Sequence, residues 1–242
     1  MPNFNEIVND VLNRSDIVLE VLDARFIDET RNKDIEENIK ILIHVINKCD
    51  LVEKSYMDRI KKKLKNCVFV SAKKHLGTTL LKQKIRELAN RNKIKKPIIG
   101  VIGYPNVGKS SVINALKGKG SARTSPEAGH TRALQHLRVD RDFFMIDTPG
   151  VIPPGKIKED ELVLIGAKNP ATIKDPDLVA IKLIKNNPEF IEKKYKIILK
   201  KDPEETIKLI ALNGNMKKKG NLPDVERASR KILHDWINQE VK

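Results

Sequence analysis

The sequence predicts an α/β fold with a six-stranded, mostly parallel sheet, followed by an all-helical C-terminal part. Apolar, β-branched runs alternate with helical stretches over the first 155 residues, and helical stretches that open with proline replace them afterwards. Strands that alternate with helices form parallel sheets covered on both faces. The six predicted strands are Ile17–Val21, Ile41–Ile46, Val68–Val70, Ile98–Ile102, Leu134–Val139 and Phe143–Ile146.

Helices are predicted between these strands. Residues 55–65 and 78–91 carry apolar side chains at helical spacing, and residues 111–116 continue as a helix directly after the fourth strand. The last two strands are separated only by a short turn around residues 140–142, which predicts an antiparallel hairpin.

The C-terminal part begins after the Pro-Pro-Gly sequence that ends at Gly155. Asp or Asn followed by proline is typical of a helix start, because proline suits the first helical turn and the preceding side chain can cap it. Three such starts occur, at Asp175, Asn187 and Asp202. We therefore predict an α/β domain over residues 1–155 and a helical domain over residues 156–242.

The chain carries a large excess of positive charge. Its 47 Lys and Arg residues against 32 Asp and Glu residues give a net charge of +15, enough to attract a polyanion from a distance. Nucleic acid is the first partner to consider. Because only 4% of the residues are aromatic, phosphate contacts and shape recognition are favoured over base stacking.

Cysteine content and hydropathy bear on the cellular compartment. The two cysteines, Cys49 and Cys67, are too few for a disulfide framework and lack the spacing of a zinc site. No apolar run is long enough to span a membrane, and the N-terminus does not resemble a secretory leader. We expect a cytoplasmic, monomeric protein without stable membrane association.

A glycine-rich loop connects the fourth predicted strand to a helix. It reads Gly103-Tyr104-Pro105-Asn106-Val107-Gly108-Lys109-Ser110, which fits the phosphate-loop pattern in its residues and in its place between strand and helix. We expect the backbone of Asn106, Val107 and Gly108 to surround a β-phosphate, Lys109 to neutralise β/γ charge and the Ser110 hydroxyl to bind Mg²⁺. Ser111 can reach the α-phosphate.

Two further motifs at strand ends point to guanine. Asn47-Lys48-Cys49-Asp50 ends the second strand, and the Asp50 carboxylate can accept hydrogen bonds from both N1–H and the exocyclic amine of guanine. Adenine lacks this pair of donors, and a buried carboxylate left unpaired gives discrimination of about 10⁴-fold. Ser71, Ala72 and Lys73 follow the third strand and are expected to close on the base from the other side.

The tetrapeptide Asp147-Thr148-Pro149-Gly150 follows the last predicted strand. A carboxylate at this place can hold Mg²⁺ through water, and the Gly150 amide can sense a γ-phosphate. Ligands of open α/β sheets gather beside the carboxyl ends of the strands. The four motifs therefore predict a GTP site with Mg²⁺ at that edge.

The order of the motifs differs from that of a Ras-like GTPase, in which the phosphate loop comes first. Here the motifs at Asn47 and Ser71 precede Gly103, and Asp147 comes last. Moving the chain termini leaves the sheet unchanged, so the sequence predicts a circularly permuted Ras-like GTPase domain. The segment after Gly150 then leads directly into the helical domain, and we expect nucleotide state to reorient that domain.

These motifs in this order resemble the circularly permuted GTPases of ribosome assembly. Two further stretches are similar to signatures of that family, and they extend the resemblance over nearly the whole chain: Asp23-Ala24-Arg25 and Pro223-Asp224-Val225-Glu226-Arg227-Ala228. The resemblance implies GTP hydrolysis coupled to binding of the large ribosomal subunit or its precursor, with the helical domain contacting rRNA.

The resemblance also implies roles for single residues. Thr131 matches the switch threonine of the Mg²⁺ shell, so Lys109 and Thr131 are the residues expected to serve catalysis. Asn106 matches an asparagine that helps coordinate K⁺ in potassium-activated relatives. Val151 stands where Ras-like enzymes carry a water-orienting glutamine, so we expect slow intrinsic turnover. No histidine precedes His44, where some relatives place a catalytic one, so no general base is assigned.

Alternatives remain open at this level. Positive charge does not distinguish rRNA from another RNA such as tRNA, or from an anionic membrane surface. The nucleotide could also stabilise an RNA-binding module that hydrolyses little GTP. A phosphotransferase acting on a small molecule is disfavoured by the guanine-reading Asp50.

Overall fold

The computed structural model describes residues 4–117, 136–138, 142–146 and 157–238. The chain divides into two compact units, one comprising residues 1–156 with 240–242 and the other residues 157–239. No described helix is both long enough and apolar enough to pass through a lipid bilayer.

The first unit is built on a six-stranded sheet. In chain order its strands are β1 (Ile17–Asp23), β2 (Leu42–Asn47), β3 (Cys67–Phe69), β4 (Ile98–Ile102), β5 (His136–Arg138) and β6 (Phe144–Ile146). They lie in the order β3-β2-β1-β4-β6-β5, and every neighbouring pair is parallel except β5 with β6. The predicted mostly parallel sheet and its final hairpin are confirmed.

The central strand β1 shows why the strands of this sheet are continuous apolar runs in the sequence. All seven of its residues are buried, as expected of a parallel strand covered on both faces. Asp23 at its end pairs in register with Asn47 at the end of β2. Because β1, β2, β3 and β4 run in the same direction, the residues that follow them share one edge of the sheet.

Helices connect the strands of this unit. The described ones are α1 (Phe4–Arg14), α2 (Ile27–Thr30), α3 (Lys33–Glu36), α4 (Lys54–Lys63), α5 (Thr78–Arg91) and α6 (Lys109–Lys117). The predicted helix over residues 78–91 is confirmed as α5, with Leu81, Ile85, Leu88 and Ala89 buried. The helix predicted to reach residue 65 stops at Lys63, because Leu64 takes an extended conformation and its side chain is buried in the core.

Helix α1 is absent from the sequence-based prediction. Phe4, Ile7, Val8, Val11 and Leu12 nevertheless recur at helical spacing within it, and Val8 and Val11 are buried in the core. The helix packs tightly against β4, since a Cβ atom at Gly100 would lie 2.7 Å from a methyl carbon of Val11 and 2.7 Å from the Ser15 hydroxyl oxygen. Glycine is required in β4 for this approach.

The second unit is helical, as predicted. Its described helices are α7 (Glu159–Leu164), α8 (Pro176–Asn186), α9 (Pro188–Tyr195), α10 (Pro203–Asn213) and α11 (Val225–Ile237). The three proline starts are confirmed. Asp202 caps α10, because its carboxylate accepts a 2.9 Å hydrogen bond from the Glu204 amide.

One apolar core holds this unit together, and α8, α10 and α11 supply most of its buried side chains. At its margin the Trp236 indole N–H donates to the Leu164 carbonyl at 2.8 Å, and Phe190 meets the indole edge-to-face at 5.2 Å between ring centroids. This partly buried tryptophan contributes both apolar area and a satisfied polar group.

Candidate nucleotide-binding site

The carboxyl ends of four adjacent parallel strands carry the predicted site. The glycine-rich loop follows β4, Asp23 ends β1, Asn47 ends β2, and Ser71 lies just after β3. Separate stretches of chain therefore meet at one edge of the sheet, the position at which open α/β sheets bind ligands.

The loop between β4 and α6 depends on three residues with positive φ angles: Gly103 at 145°, Asn106 at 62° and Gly108 at 98°. A Cβ atom at Gly103 would lie 2.5 Å from the Val21 carbonyl oxygen, and one at Gly108 would lie 2.2 Å from the Asn47 amide nitrogen. The glycines thus let the loop backbone lie close to its neighbours. A loop of this kind before a helix N-terminus suits a phosphate group.

Lys109 opens α6 and is buried. Its ammonium group donates hydrogen bonds to the carbonyl oxygens of Gly103, at 3.0 Å, and Tyr104, at 2.8 Å. The charge is thereby held against the loop, where it can neutralise phosphate oxygens. Ser110 and Ser111 are exposed in the first turn of α6, so their hydroxyl groups are accessible to a ligand.

Asn47 ties the loop to the neighbouring strand ends. Its side-chain amide donates to the Val107 carbonyl at 2.8 Å, and its side-chain oxygen accepts a 3.2 Å hydrogen bond from the Ala72 amide. Both atoms are used inside the protein, and the side chain is buried. The sequence pointed to Asn47 as a nucleotide contact, but it did not reveal this linking role.

Asp50 lies on a 3-10 turn over Cys49–Leu51. Burial raises the pKa of its carboxyl group, but hydrogen bonding from Ser71 and the nearby ammonium of Lys74 outweigh this, and the pKa is lowered overall. The Lys74 ammonium is 3.3 Å from the carboxylate. An ionised carboxylate at this edge suits the two donors of guanine.

The Ser71-Ala72-Lys73 stretch is held close to this turn. The Ser71 amide and carbonyl pair with Leu76, at 3.0 and 3.1 Å, and the Ser71 hydroxyl accepts a 3.2 Å hydrogen bond from the Lys74 amide. Ser71 and Ala72 are buried, whereas Lys73 is exposed. The backbone of this stretch is therefore fixed beside Asp50, with the Lys73 side chain facing solvent.

Asp23 organises the cations at the end of β1. Its buried carboxylate accepts hydrogen bonds from the Arg25 guanidinium at 3.0 and 2.8 Å and from the Lys48 ammonium at 2.7 Å. Burial raises the pKa of Asp23, but hydrogen bonding from Arg25 and the charge of Lys48 lower it overall. Lys48 itself has a left-handed backbone, with φ 60°. The Asp23-Ala24-Arg25 stretch thus fixes the lysine of the guanine-reading motif.

Three predicted site residues, Thr131, Asp147 and Gly150, lie outside the described residues, as does Val151. The described part of the site fits a nucleoside phosphate, because the glycine loop and the buried Lys109 lie together at the start of α6. Of the residues predicted to bind Mg²⁺ directly, Ser110 lies within the described part of the chain, and its side chain is exposed.

A different cluster offers metal-binding groups on β1, α3 and β2. Ligand atoms of Glu20, Glu36 and His44 lie within 4.8 Å of one another. Each carboxylate already has protein partners, since Glu20 accepts from the Asn32 amide and contacts the His44 ring, and Glu36 is paired with Arg31. The cluster is therefore a satisfied polar contact within the fold.

Family comparisons agree with this geometry. A model described as RsgA GTPase matches residues 17–155, which is more than half of the chain and includes every strand of the sheet. The chain belongs to the RsgA GTPase family. A second model, described as 50S ribosome-binding GTPase, matches residues 98–214.

Relatives of this RsgA-family chain are GTP-binding proteins. It is 36% identical over 240 residues to the uncharacterized GTP-binding protein MJ1464 of Methanocaldococcus jannaschii, covering 96% of the chain and 64% of that protein. It is 33% identical to nucleolar GTP-binding protein 2 of Saccharomyces cerevisiae, covering 93% of the chain and 49% of that protein. The chain spans less than two thirds of the length of either relative.

Solved structures confirm the fold of this family member. The crystal structure of GNP-bound YlqF from T. maritima superposes with a TM-score of 0.68 at 23% identity, covering 95% of the chain and 91% of YlqF. The GDP-bound structure of YlqF superposes with a TM-score of 0.69 at 24% identity, covering 95% of the chain and 93% of YlqF. The predicted circularly permuted GTPase fold, with a sheet and following helices, is confirmed.

Proposed function

We propose that this protein binds GTP with Mg²⁺, hydrolyses it to GDP and phosphate, and acts as a switch in assembly of the large ribosomal subunit through rRNA binding. One observation carries the GTPase proposal: Asn47 bonds both to the phosphate loop at Val107 and to Ala72. The guanine-reading and phosphate-binding motifs, reversed in chain order, thus form one continuous site.

The described residues divide the binding of GTP between base and phosphates. Asp50 accepts the two donors of guanine, and the backbone of the Ser71-Ala72-Lys73 stretch encloses the base. Lys48 is held in place by Asp23. The loop amides around Gly108 and the Lys109 ammonium bind the phosphates. Lys109 stabilises the charge that develops as the γ-phosphate leaves for water.

The metal ions are a further part of the proposal. Mg²⁺, held by Ser110, by Thr131 and through its water shell by Asp147, would neutralise phosphate charge. K⁺ beside Asn106 would add a second positive charge. Thr131 and Gly150 would report the presence of the γ-phosphate.

Similarity to GTPases described as nucleolar or ribosome-binding, together with the positive charge of the chain, supports the ribosomal role. The chain resembles nucleolar GTP-binding proteins, a model described as 50S ribosome-binding GTPase matches part of it, and its net charge is +15. We assign GTP hydrolysis to a domain over residues 1–155 and RNA binding to a helical domain over residues 156–242. The protein would act as a cytoplasmic monomer, with the segment after Gly150 coupling nucleotide state to the helical domain.

GTP turnover in K⁺ buffer, with and without purified large ribosomal subunits, tests the proposal. We expect slow turnover alone and stimulation of about tenfold or more by the subunits, the scale on which an active site is completed in trans. Lys109→Ala should abolish both rates, and replacement of K⁺ by Na⁺ should lower them.

The alternatives give different results. Stimulation by tRNA in place of large subunits would indicate a GTPase that acts on another RNA. RNA binding that survives Thr131→Ala, together with negligible turnover in every condition, would indicate an RNA-binding module stabilised by its nucleotide. Absence of tight GTP binding would contradict the proposal altogether.

A further inference from the structure

A basic segment joins α9 to α10 in the helical unit. Residues 193–201 contain five lysines and no acidic residue. After Tyr195 the helix ends at Lys196, whose left-handed backbone (φ 52°, ψ 47°) redirects the chain. Residues 197–200 have no regular secondary structure, so the segment is a short connection that displays a concentrated positive charge.

The segment is anchored along one side. Ile197 and Leu199 pack against the apolar core of the unit, and the Tyr195 hydroxyl donates to the Asp235 carboxylate at 2.9 Å. The Lys200 amide donates to the hydroxyl of the buried Thr206 at 3.0 Å. Its position is thereby fixed by the core, which lowers the entropic cost of binding a ligand.

The other side of the segment faces solvent. The side chains of Lys196, Ile198 and Lys200 are exposed, alternating with the half-buried Ile197 and Leu199. Ile198 is 86% exposed, the largest fraction among the exposed large apolar side chains of the described residues. An anchored segment that points an isoleucine outward between two lysines offers apolar and charged contacts together.

Lys196 and Lys200 differ from three lysines on the neighbouring helices. Lys182 pairs with Asp160 at 2.7 Å, Lys208 with Glu205 at 2.9 Å and Lys231 with Asp235 at 3.0 Å. Among the described residues, no carboxylate lies within 4.0 Å of the ammonium groups of Lys196 or Lys200. Lys196 and Lys200 therefore present positive charge without a local ion pair, whereas Lys194 is close enough to Asp235 to help lower the pKa of that carboxyl group.

We propose that residues 193–201 form an RNA-contacting segment, in which the lysines bind backbone phosphates and Ile198 packs against ribose or base. This inference rests on the proposed function and assigns the RNA contact to particular residues. RNA fits better than a membrane surface, because a single exposed isoleucine buries too little apolar area for stable attachment. The lysines supply the salt-dependent affinity typical of phosphate contacts.

Binding of deproteinised large-subunit rRNA over a range of salt concentrations tests the segment. In the full chain, Lys196→Gln with Lys200→Gln should lower affinity about tenfold and reduce the slope of log affinity against log salt by about 1 to 2, given about 0.7 to 0.9 per phosphate contact. Ile198→Ser should lower affinity several-fold, on the scale of an apolar contact, without changing the slope.

A matched control removes the same charge elsewhere in the unit. Lys185→Gln with Lys208→Gln alters two lysines on α8 and α10 and should leave affinity within about twofold of the unmodified protein. All variants should keep the basal GTP turnover and the unfolding temperature, because none of the substituted side chains belongs to the core or to the nucleotide site.

Several results would overturn the inference. Equal losses in the two double variants would show that only net charge matters, and selective loss of binding to phosphatidylserine vesicles would identify a membrane contact. The Lys196→Gln, Lys200→Gln variant could keep both its rRNA affinity and the stimulation of its turnover by large subunits. That result would refute the RNA contact at this segment and leave the proposed function standing. An unmodified protein that neither binds rRNA nor responds to subunits would refute both.

Discussion

The side-chain amide of Asn47 donates a 2.8 Å hydrogen bond to the Val107 carbonyl, across a sequence separation of 60 residues. The same side chain accepts a hydrogen bond from the Ala72 amide. One buried residue at the end of β2 therefore sets the spacing between the base-reading and phosphate-binding parts of the site. The geometry of the permuted site depends on this link, since the chain itself does not join these segments directly.

Asn47→Ala should weaken both the fold and nucleotide binding. The Val107 carbonyl and the Ala72 amide would lose their partner, and each unsatisfied buried group costs about 1–3 kcal/mol. We expect the free energy of unfolding to fall by a similar amount and GDP affinity to fall about tenfold or more. Urea denaturation and calorimetric titration with GDP measure the two effects.

The Asn47→Asp variant tests the hydrogen bond to Val107 separately from the hydrogen bond to Ala72. Aspartate keeps an acceptor for the Ala72 amide but presents a second oxygen to the Val107 carbonyl. If the link to Val107 matters, Asn47→Asp should bind GDP as weakly as Asn47→Ala. Full GDP affinity in Asn47→Asp would show that the contact with the phosphate loop is dispensable.

Gly108→Ala should prevent the phosphate loop from closing. The new Cβ atom would lie 2.2 Å from the Asn47 amide nitrogen, at a residue with φ +98°. Because the loop backbone would be displaced from the phosphates, GDP affinity should fall about 10²-fold or more. Fluorescence titration with a labelled GDP analogue measures this loss.

Gly220→Ala is the control for backbone conformation alone. Gly220 also has a positive φ, +81°, but no atom lies within 4 Å of an added Cβ. The substitution should cost about 1–2 kcal/mol of stability and leave nucleotide affinity unchanged. Equal nucleotide affinities for the two alanine variants would contradict the steric argument.

Asp23→Asn should destabilise the protein strongly. The Arg25 side chain is 1% exposed and makes its ion pair with Asp23 at 2.8 Å, and removing one partner of a buried ion pair costs about 3–5 kcal/mol. Lys48 would also lose its 2.7 Å contact, so GDP affinity should fall with stability. Asp10→Asn, which breaks the exposed pair with Arg14, should change stability by less than about 1 kcal/mol.

The same carboxylate predicts a pH dependence. The folded-state pKa of Asp23 is lowered, so its ionised form stabilises the fold above the ordinary aspartate pKa of about 3.9. This contribution is lost as pH falls through the lower folded-state pKa. Unfolding curves should show a stability difference between the unmodified protein and Asp23→Asn that is present at neutral pH and shrinks in that acidic range. A constant difference would refute this assignment.

Asp50→Asn should relax the choice of base. An amide cannot accept both guanine donors, so the preference for GTP over ATP should fall about 10²-fold or more. Competition binding with GTP and ATP measures the ratio. Lys74→Gln, which removes the ammonium 3.3 Å from Asp50 at an exposed position, should alter the ratio by less than about threefold. An unaltered ratio in Asp50→Asn would place base recognition elsewhere.

Local patterns carried much of the fold prediction. The strands were visible because their apolar runs are continuous, as in the fully buried β1, and α8, α9 and α10 were visible because proline marks their first turn. Helix α1 was not predicted, although Phe4, Ile7, Val8, Val11 and Leu12 recur at helical spacing. Its close packing depends on Gly100 in β4, a residue far away in the sequence.

The sequence by itself determined which chemical groups follow which strands, and therefore that a phosphate loop and a guanine-reading motif occur in permuted order. Tertiary structure alone decided that Asn47 links these motifs, that Asp23 holds Lys48, and that Ile198 faces solvent between lysines. The physical reason is range. Periodicity and turn chemistry act over a few residues, whereas hydrogen bonds and burial depend on which distant segments the folded sheet and helices bring into contact.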